Sequence, residues 1–188
     1  MTDLFTFLER LAPLSPELQQ HLQKITVLEE FPKKAHLLQA GSINRKIYFI
    51  IKGLVRCYTK DSSGQEQNIW FLREGDVIAP TEGFNKQTIT DEYIQALEPC
   101  TAYSIAFTEL ETTYQLFPEF HLHGRRIAVQ YSLLWYTLFK QIKMKSASER
   151  YLFLVENFPE LSARVQNQHL ASFLGIGMWT FSRLRNSQ

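Results

Sequence analysis

Short apolar runs separated by turn residues fill the chain between residues 20 and 107. The runs are rich in β-branched and aromatic residues, and the segments between them contain glycine, aspartate or serine, which is typical of strands joined by turns. The predicted strands are residues 25–31, 36–39, 47–51, 54–58, 69–72, 77–79, 93–97 and 102–107. Roughly eight short strands within about 85 residues favour a jelly roll or barrel, so we predict a small double-stranded β-roll.

Helical patterns flank this strand region on both sides. Residues 3–12 have the spacing of a short helix, and Ser15 followed by Pro16 is typical of a helix start, with the serine as cap and the proline in the first helical position. After the last strand, Thr108 and Glu111 fit a capping box, in which each side chain bonds the other residue's backbone amide. We therefore expect two helices before the β-roll and one directly after it.

A longer helical pattern runs from Pro118 to about Met144. Five of its apolar residues are spaced by four, three, four and four positions and form a seam like that of a coiled coil: Ile127, Tyr131, Leu134, Leu138 and Ile142. Further apolar side chains widen this surface beyond what one small β-roll can cover. A second copy of the helix would cover it, which predicts a two-fold dimer. The alternative is packing on the chain's own β-roll.

The C-terminal residues form two short amphipathic segments around the turn Gly175-Ile176-Gly177. They follow a capping box at Ser146 and Glu149 and a helix that Pro159 interrupts. Gly175 can take the left-handed conformation that ends a helix. Six apolar residues supply a buried face: Leu170, Ala171, Leu174, Ile176, Phe181 and Leu184. The pattern predicts a helix-turn-helix, although a plain helical hairpin has the same signature.

The opposite face of the second segment carries hydroxyl and guanidinium groups, on Thr180, Ser182, Arg183 and Arg185. Such groups reach phosphates and guanine edges in a DNA major groove. The distribution of charge also favours DNA binding by the C-terminal part. Residues 1–120 contain 11 Lys and Arg against 16 Asp and Glu, whereas residues 121–188 contain nine Lys and Arg against three Asp and Glu. The formal net charge of +1 therefore hides a basic C-terminal part that suits a polyanion, although a solvated helical face gives the same balance.

Composition sets the broad class. With 188 residues, 45% of them hydrophobic, the chain can fill a core in one domain or two small ones. No apolar run approaches the roughly 20 residues that span a bilayer, and the first ten residues lack the signals of a secretory leader, so we expect a cytoplasmic protein without membrane contact. Cys57 and Cys100 have no cysteine or histidine neighbour and are expected to be free thiols.

The motifs needed by common enzyme classes are missing from the sequence. There is no glycine-rich phosphate loop, no nucleophile elbow and no carboxylate pair with a partner. A cupin-like metal centre needs several histidines on strands, whereas only His36 lies on one. His121 and His123 are two residues apart on a helix, so they point away from each other and are interpreted as surface or interface histidines. We expect no catalytic residues, no metal and no enzymatic activity.

Three segments, in this order, resemble the Crp/Fnr family of bacterial transcription regulators over almost the whole chain. Residues 48–56, with 61–64 and 75–78, are similar to the family's cyclic-nucleotide-binding roll. Residues 147–151 are similar to the entrance of its DNA-binding domain. Residues 169–176, with 180–185, are similar to its helix-turn-helix. The resemblance implies an α+β fold of three parts. These are N-terminal helices with a jelly-roll-like β-roll effector domain (1–117), a long dimerisation helix (118–145) and a helix-turn-helix DNA-binding domain (146–188).

The resemblance also implies partners. Members of this family act as homodimers on double-stranded DNA, so we expect a pseudo-palindromic operator with half-sites about 34 Å apart. RNA polymerase is a further expected partner. The iron–sulfur members of the family need four cysteine ligands, and the two cysteines of this chain exclude that mechanism.

The effector pocket of the family can be compared position by position. Pro80 stands where cyclic-nucleotide binders place a glutamate for the ribose, and the next glutamate is Glu82, beside Gly83. Thr90 and Asp91 stand where those proteins place an arginine and a serine for the cyclic phosphate. Losing the arginine removes a charge-assisted pair, and a carboxylate there repels a phosphate. We predict no useful binding of cyclic AMP. Another small-molecule effector and an empty pocket both stay open.

The second segment departs from the family in the three positions before Thr180. Relatives carry a Ser or Thr cap, a proline or arginine, and a glutamate, whereas this chain has Gly177, Met178 and Trp179. Glycine is a weaker cap by only a few tenths of a kcal/mol. Trp179 can contact thymine methyls or backbone sugars but cannot accept a hydrogen bond from cytosine as glutamate does. The operator should therefore differ from the common family half-site.

Resemblance and side-chain chemistry together suggest a role for each outward residue. Arg183 is expected to read a base, while three neighbours mainly hold phosphates, namely Thr180, Ser182 and Arg185. At the start of the first segment, Gln168 and His169 are expected near the DNA backbone. The rival hypothesis is a dimeric ligand-binding or protein-interaction module that has kept the roll but lost operator binding.

Overall fold

The computed structural model describes residues 1–78 and 81–187. The helices that precede the last strand are α1 (Thr2–Leu11), α2 (Pro16–Ile25) and α3 (Thr81–Lys86). The strands are β1 (Val27–Phe31), β2 (His36–Leu38), β3 (Lys46–Lys52), β4 (Val55–Lys60), β5 (Glu66–Leu72), β6 (Val77–Ile78), β7 (Tyr93–Ala96) and β8 (Cys100–Ala106). The later helices are α4 (Phe107–Leu116), α5 (Phe120–Met144), α6 (Ala147–Asn157), α7 (Pro159–Arg164), α8 (Asn167–Leu174) and α9 (Met178–Asn186).

The strands form two four-stranded sheets, in the orders β1-β8-β3-β6 and β2-β7-β4-β5. In the first sheet the neighbours are antiparallel, with Leu28 opposite Tyr103 and Tyr48 opposite Ser104. Most neighbours are distant in the sequence, which is the crossing connectivity of a jelly roll. The predicted β-roll is confirmed. Its first strand begins at Val27 rather than at residue 25, because Ile25 still belongs to α2.

Strand β3 lies at the centre of the core of the β-roll. Tyr48, Phe49 and Ile50 are consecutive and all buried, so both faces of this strand are covered. The chain then turns sharply at Gly53, whose φ is 101°. A Cβ atom at this position would lie 2.5 Å from the Sγ atom of Cys100, so only glycine fits there. The turn between β3 and β4 therefore depends on both the conformation and the small size of Gly53.

Two of the three predicted side-chain caps are present. The Oγ of Ser15 accepts from the amide of Leu18 at 3.3 Å, and Pro16 is the first residue of α2. In the capping box of α6, the Oγ of Ser146 accepts from the amide of Glu149 at 3.4 Å, and the Glu149 carboxylate accepts from the amide of Ser146 at 2.9 Å. Both helix starts follow from local sequence, because the capping groups are only three residues apart.

The predicted capping box at Thr108 and Glu111 is wrong. Helix α4 begins at Phe107 after Ala106, and no side chain caps it. The amide of Phe107 donates to the carbonyl of Arg45 at 2.8 Å. This long-range bond satisfies the first amide of the helix, which begins two residues earlier than the predicted box requires. Thr108 is therefore already inside the first turn, where its hydroxyl cannot act as a cap.

The chain divides into two compact units. The first comprises residues 1–57 and 71–129, and the second comprises residues 58–70 and 130–188. The first unit contains α1, α2, most of the β-roll and the beginning of α5. The second contains the outer part of the β4–β5 hairpin, which we define as residues 58–70, together with the rest of α5 and helices α6 to α9. Within residues 1–78 and 81–187, no helix is both long enough and apolar enough to cross a membrane.

Candidate nucleic-acid interface

Helices α8 and α9 and the turn between them form a helix-turn-helix. Gly175 ends α8 in the left-handed conformation, with φ of 61° and ψ of 40°. The amide of Ile176 donates to the carbonyl of Ala171 at 3.0 Å, and the amide of Gly175 donates to the carbonyl of Ser172 at 3.0 Å. These two bonds define a Schellman motif, which satisfies carbonyls that the helix end leaves free. Gly177 then starts α9 without a side-chain cap, as the sequence predicts.

The buried face of this motif is largely the one that the sequence predicts. Leu170, Ala171, Leu174 and Phe181 are buried, whereas Ile176 and Leu184 are only half-buried. The ring of Phe181 meets that of Tyr151, from α6, edge to face with centroids 5.5 Å apart. Helix α6 therefore supplies the third side of a small helical core, which a two-helix hairpin alone would lack.

Arg150, on α6, holds the end of α8 in place. Its Nη1 donates to the carbonyl oxygen of Leu174 at 2.5 Å and lies 3.4 Å from that of Gly175. A charged donor makes a stronger hydrogen bond than a neutral one, so this contact fixes the geometry of the turn. Sequence reasoning missed this role. Arg150 lies 24 residues before Leu174 and belongs to no local motif that would indicate the contact.

The outward face of α9 carries an exposed aromatic residue and an exposed guanidinium side by side. Trp179 is 73% exposed and Met178 is 45% exposed. The guanidinium carbon of Arg183 lies 4.7 Å from the centroid of the Trp179 ring, which is cation–π geometry. Thr180 and Ser182 are half-buried beside them. Together with Arg185, five of the proposed DNA-contact residues thus lie on one short helix, with Trp179 and Arg183 in direct contact.

Arg185 points to the start of α8. One of its guanidinium nitrogens donates to the Oδ1 of Asn167, and the other lies 3.5 Å from the carbonyl oxygen of Ser162. The sequence predicts Arg185 as a phosphate contact. The structure adds a second task, because the same guanidinium links the end of α9 to the beginning of α8.

The β4–β5 hairpin bonds to α8, a contact that the sequence did not indicate. The amide of Asn68 donates to the Oγ of Ser172 at 2.9 Å, and this hydroxyl donates to the carbonyl of Glu66 at 3.2 Å. The Nδ2 of Asn68 also lies 3.4 Å from the Nδ1 of His169. A cleft of about 570 Å³ lies between the hairpin and the beginnings of α8 and α9. Its wall includes Gln168 and His169, both predicted DNA-backbone contacts.

An aromatic cluster supports the hairpin. The ring of Trp70 has its centroid 5.8 Å from that of Trp135 on α5, 5.6 Å from that of Phe158 and 5.6 Å from that of Phe173 on α8. Aromatic pairs at such distances are stabilised beyond their buried area. Trp70 therefore connects the hairpin to two helices.

The candidate effector residues lie in the β-roll, where Gly83 and Thr90 are tightly packed. Pro80 is outside the described residues, as is the side chain of Glu82. A Cβ atom on Gly83 would lie 3.0 Å from the Cβ of Thr90. Thr90 is buried, and its Oγ1 accepts from the amide of Glu92 at 3.1 Å, while Asp91 is exposed. The side chain at the expected phosphate position is thus packed against Gly83 and bonded to its own loop.

Apolar side chains on α5 differ in how far their own chain covers them. Among the residues of the predicted seam, Leu138 is buried, Ile127, Tyr131 and Leu134 are half-buried, and Ile142 is 50% exposed. Several apolar residues outside the seam are also exposed, including Val129, Leu133, Tyr136, Phe139 and Met144. Helix α5 therefore presents a large uncovered apolar surface, part of which lies beside the predicted seam.

One of the two helical histidines is not at the surface. His123 is fully buried, with its Nε2 3.0 Å from the carbonyl oxygen of Ala12, which corrects the prediction of a surface or interface residue. The contact with α1 covers it, and no local pattern indicates that contact. His121 is exposed and stacks on Tyr114 with centroids 4.8 Å apart. Across the described parts of the chain, no three metal-ligating side chains come together.

Both cysteines are free thiols, as predicted. Burial raises the pKa of Cys57 to about 12, and the nearby carboxylate of Glu92 adds to the shift. Burial also raises the pKa of Cys100. Since the thiolate is the reactive form of cysteine, both groups are unreactive near neutral pH.

Residues 28–115 match the family model described as "Cyclic nucleotide-binding domain". This segment contains nearly all of the β-roll and most of α4. The match agrees with the Crp/Fnr resemblance and confirms the class of the β-roll.

Curated proteins of similar sequence match about half of the chain. The cAMP-activated global transcriptional regulator CRP of Pasteurella multocida is 27% identical over 96 residues, which is 51% of this chain and 46% of that protein. The chain thus matches less than half the length of this curated relative.

Two solved structures share the fold over a greater length. FixK2 from Bradyrhizobium japonicum has a TM-score of 0.72 at 19% identity, covering 87% of this chain and 84% of its own. The c-di-GMP-responsive global regulator CLP from Xanthomonas campestris has a TM-score of 0.73 at 16% identity, covering 92% and 91%. The shared fold therefore includes the β-roll, the long helix and the helices that follow it.

Proposed function

Because the chain carries a cyclic nucleotide-binding domain and has the Crp/Fnr fold, we propose that it is a DNA-binding transcription regulator. It acts as a homodimer on a pseudo-palindromic operator. The observation that carries the proposal is the helix-turn-helix, whose second helix exposes Trp179 and Arg183 while Phe181 anchors it to the core. RNA polymerase is a proposed partner by the family resemblance alone.

Within the motif the roles divide by chemistry. Arg183 reads a base edge, because its guanidinium can donate two parallel hydrogen bonds to guanine O6 and N7. The hydroxyls of Thr180 and Ser182 and the guanidinium of Arg185 bind phosphates. Gln168 and His169 lie at the beginning of α8, where backbone amides and a helix dipole favour a phosphate. In this scheme Arg185 bridges Asn167 and a phosphate, so it both shapes the motif and binds DNA.

A second copy of the chain covers the apolar surface of α5. Trp135, Phe139 and Ile142 are spaced by four and three residues, and they are 37%, 57% and 50% exposed. Residues with this spacing form one stripe along a helix. The proposed interface includes Ile142, which belongs to the predicted seam, and Phe139, which does not. Leu138 is not part of the interface, because it is already buried within its own chain.

Cyclic AMP is not the proposed effector. Thr90 offers no positive charge to a cyclic phosphate, and its hydroxyl already accepts from the amide of Glu92. Asp91, which is exposed beside it, would repel the phosphate. If the β-roll binds an effector, it is a different small molecule.

The test is a selection of genomic DNA fragments by the purified protein across a salt series, with and without cyclic AMP. We expect an enriched palindrome whose affinity falls steeply as salt rises, because phosphate contacts release counterions, and which does not depend on cyclic AMP. A requirement for cyclic AMP would overturn the effector proposal. No enrichment and no salt-dependent binding would favour the rival interaction module.

Two variants separate base reading from phosphate binding. Arg183→Ala should lower specificity at one base pair by about 1 to 3 kcal/mol. Arg185→Ala should weaken specific and random DNA alike and reduce the salt dependence. Equal losses on both kinds of DNA for both variants would contradict this division of roles.

A further inference from the structure

Trp179 and Arg183 are one turn apart on α9, and the ring of Trp179 lies against the guanidinium. The distance from the guanidinium carbon to the ring centroid is 4.7 Å. Helix α9, residues 178–186, contains no acidic side chain, so no carboxylate of its own helix competes with the ring for this cation. A guanidinium that rests on an aromatic face loses rotamer freedom before it meets a ligand, and an ordered donor binds at a lower entropic cost.

The exposure of Trp179 has no explanation in the packing of the motif. Phe181, two residues further on, is 1% exposed and holds α9 to the core, whereas Trp179 is 73% exposed. A large apolar ring left in water on a helix that also carries two arginines is suited to a partner with both apolar and acceptor groups. The major groove of DNA offers such a pair, since thymine carries a C5 methyl group and guanine carries the O6 and N7 acceptors.

We propose that Trp179 and Arg183 together read two adjacent base pairs, a guanine bound by Arg183 and a neighbouring thymine whose methyl group packs on the indole of Trp179. Trp179 has two tasks in this unit, since it recognises the methyl group and it orders the guanidinium. The proposal rests on the proposed function, because it requires α9 to lie in the major groove. It adds a two-base specificity that a single arginine would not have.

The first part of the test needs no DNA. Stacking on an indole shifts the NMR signals of an arginine side chain through the ring current, so the Arg183 side-chain signals should move in Trp179→Ala. Met178→Ala is the matched control, since Met178 is also apolar and exposed on α9 but precedes Trp179 by one residue. Arg183 signals that are unchanged in Trp179→Ala would overturn the ordering role.

The second part uses the selected operator with single-atom changes in the bases. Replacing the thymine beside the guanine by deoxyuridine removes only the methyl group, and we expect about a fourfold loss of affinity from the lost apolar contact. Replacing the guanine by 7-deazaguanine removes one of two acceptors, and we expect a loss of about five- to tenfold. Deoxyuridine is substituted at each thymine of the half-site in turn, which locates the position.

The two variants then assign each loss to a side chain. The penalty of a base change is the loss of affinity that it causes. In Trp179→Ala the deoxyuridine penalty should disappear and the 7-deazaguanine penalty should become smaller. In Arg183→Ala the 7-deazaguanine penalty should disappear. Met178→Ala should retain both penalties. A deoxyuridine penalty of the same size in Trp179→Ala would overturn the proposal while leaving DNA binding intact. A protein that selects no operator would overturn the proposed function and this inference together.

Discussion

The guanidinium of Arg150 and the carbonyl oxygen of Leu174 form a hydrogen bond of 2.5 Å that connects α6 to the last residue of α8. The bond fixes the point at which the chain leaves the first helix of the motif and turns toward the second. Because α9 follows directly after this turn, a residue outside the helix-turn-helix supports the segment that leads to Trp179 and Arg183.

We expect Arg150→Ala to lower the free energy of unfolding by about 1 to 2 kcal/mol, because the Leu174 carbonyl loses a charged donor. Arg150→Lys should be intermediate, since an ammonium has a different reach and donor geometry. Chemical denaturation checks both values. Arg125→Ala, which removes an exposed arginine from α5, is the control and should change stability by less than about 0.5 kcal/mol.

Gly175 and Gly177 should respond differently to substitution. Gly175 has φ of +61°, and a Cβ atom there would lie 3.3 Å from the Nη1 of Arg150. Gly175→Ala should therefore destabilise the protein by about 1 to 2 kcal/mol. Gly177 has no atom within 4 Å of an added Cβ and is the N-cap of α9, so Gly177→Ser should stabilise by a few tenths of a kcal/mol. Thermal unfolding of both variants gives the comparison, and equal effects would contradict the strain argument.

The hydroxyl of Ser172 makes two of the hydrogen bonds between the hairpin and α8. Ser172→Ala removes the acceptor of the Asn68 amide and the donor to the Glu66 carbonyl. We expect faster hydrogen exchange at the Asn68 amide, by about fivefold, because a net hydrogen bond contributes about 1 kcal/mol. Thr137→Ala is the control, since its hydroxyl donates only within α5, to the carbonyl of Leu133. Unchanged exchange at Asn68 would show that the Ser172 hydroxyl does not hold the hairpin.

Substitutions in the proposed dimer surface on α5 should have a different effect from substitution of the buried seam residue Leu138. Phe139→Glu should give a monomer in sedimentation experiments, because it places a charge in an apolar interface. Thr137→Glu adds the same charge on another side of the helix and should leave the dimer intact. Leu138→Ala should instead cost about 2 to 5 kcal/mol of stability without changing the oligomeric state, since Leu138 is buried in its own chain. A dimer that survives Phe139→Glu would rule out this surface.

Glu149 gives a test by pH. Hydrogen bonds from the amide and hydroxyl of Ser146 and from Lys145 lower the pKa of Glu149 from 4.5 to about 2. A lowered pKa means that the cap stabilises the folded chain fully above about pH 4.5 and loses its effect as the pH falls toward 2. In Ser146→Ala the pKa should rise toward 4.5, which NMR titration measures directly. An unchanged pKa would mean that the hydroxyl does not contribute.

The sequence predicted those features that depend on neighbouring residues. Strands such as Lys46–Lys52 follow from runs of β-branched and aromatic residues, and the turn at Gly175 follows from a glycine between two amphipathic segments. Four of the proposed DNA-contact residues on α9 were found in the same way, from helical spacing, whereas Trp179 was found by comparison with the family. Their exposure or partial burial on one helix follows directly from that spacing.

Features that join distant parts of the chain could not be predicted. The bond from Asn68 to Ser172 spans 104 residues, and that from His123 to Ala12 spans 111. The error at Thr108 has the same origin, because the carbonyl of Arg45 determines where α4 begins. Such contacts depend on how strands and helices come together, which a local pattern does not record. The contact between Trp179 and Arg183 could have been predicted from the sequence, since residues four apart on a helix are neighbours.

The cluster around Trp70 makes the second unit optically distinctive. The indole rings of Trp70 and Trp135 have centroids 5.8 Å apart and planes inclined by 50°. Two identical chromophores this close, and not parallel, share their excited states and give a paired positive and negative band in ultraviolet circular dichroism. This signal exists only while the hairpin stays on α5. The protein therefore contains a label-free reporter of hairpin attachment, which can be followed while DNA or a small molecule is added.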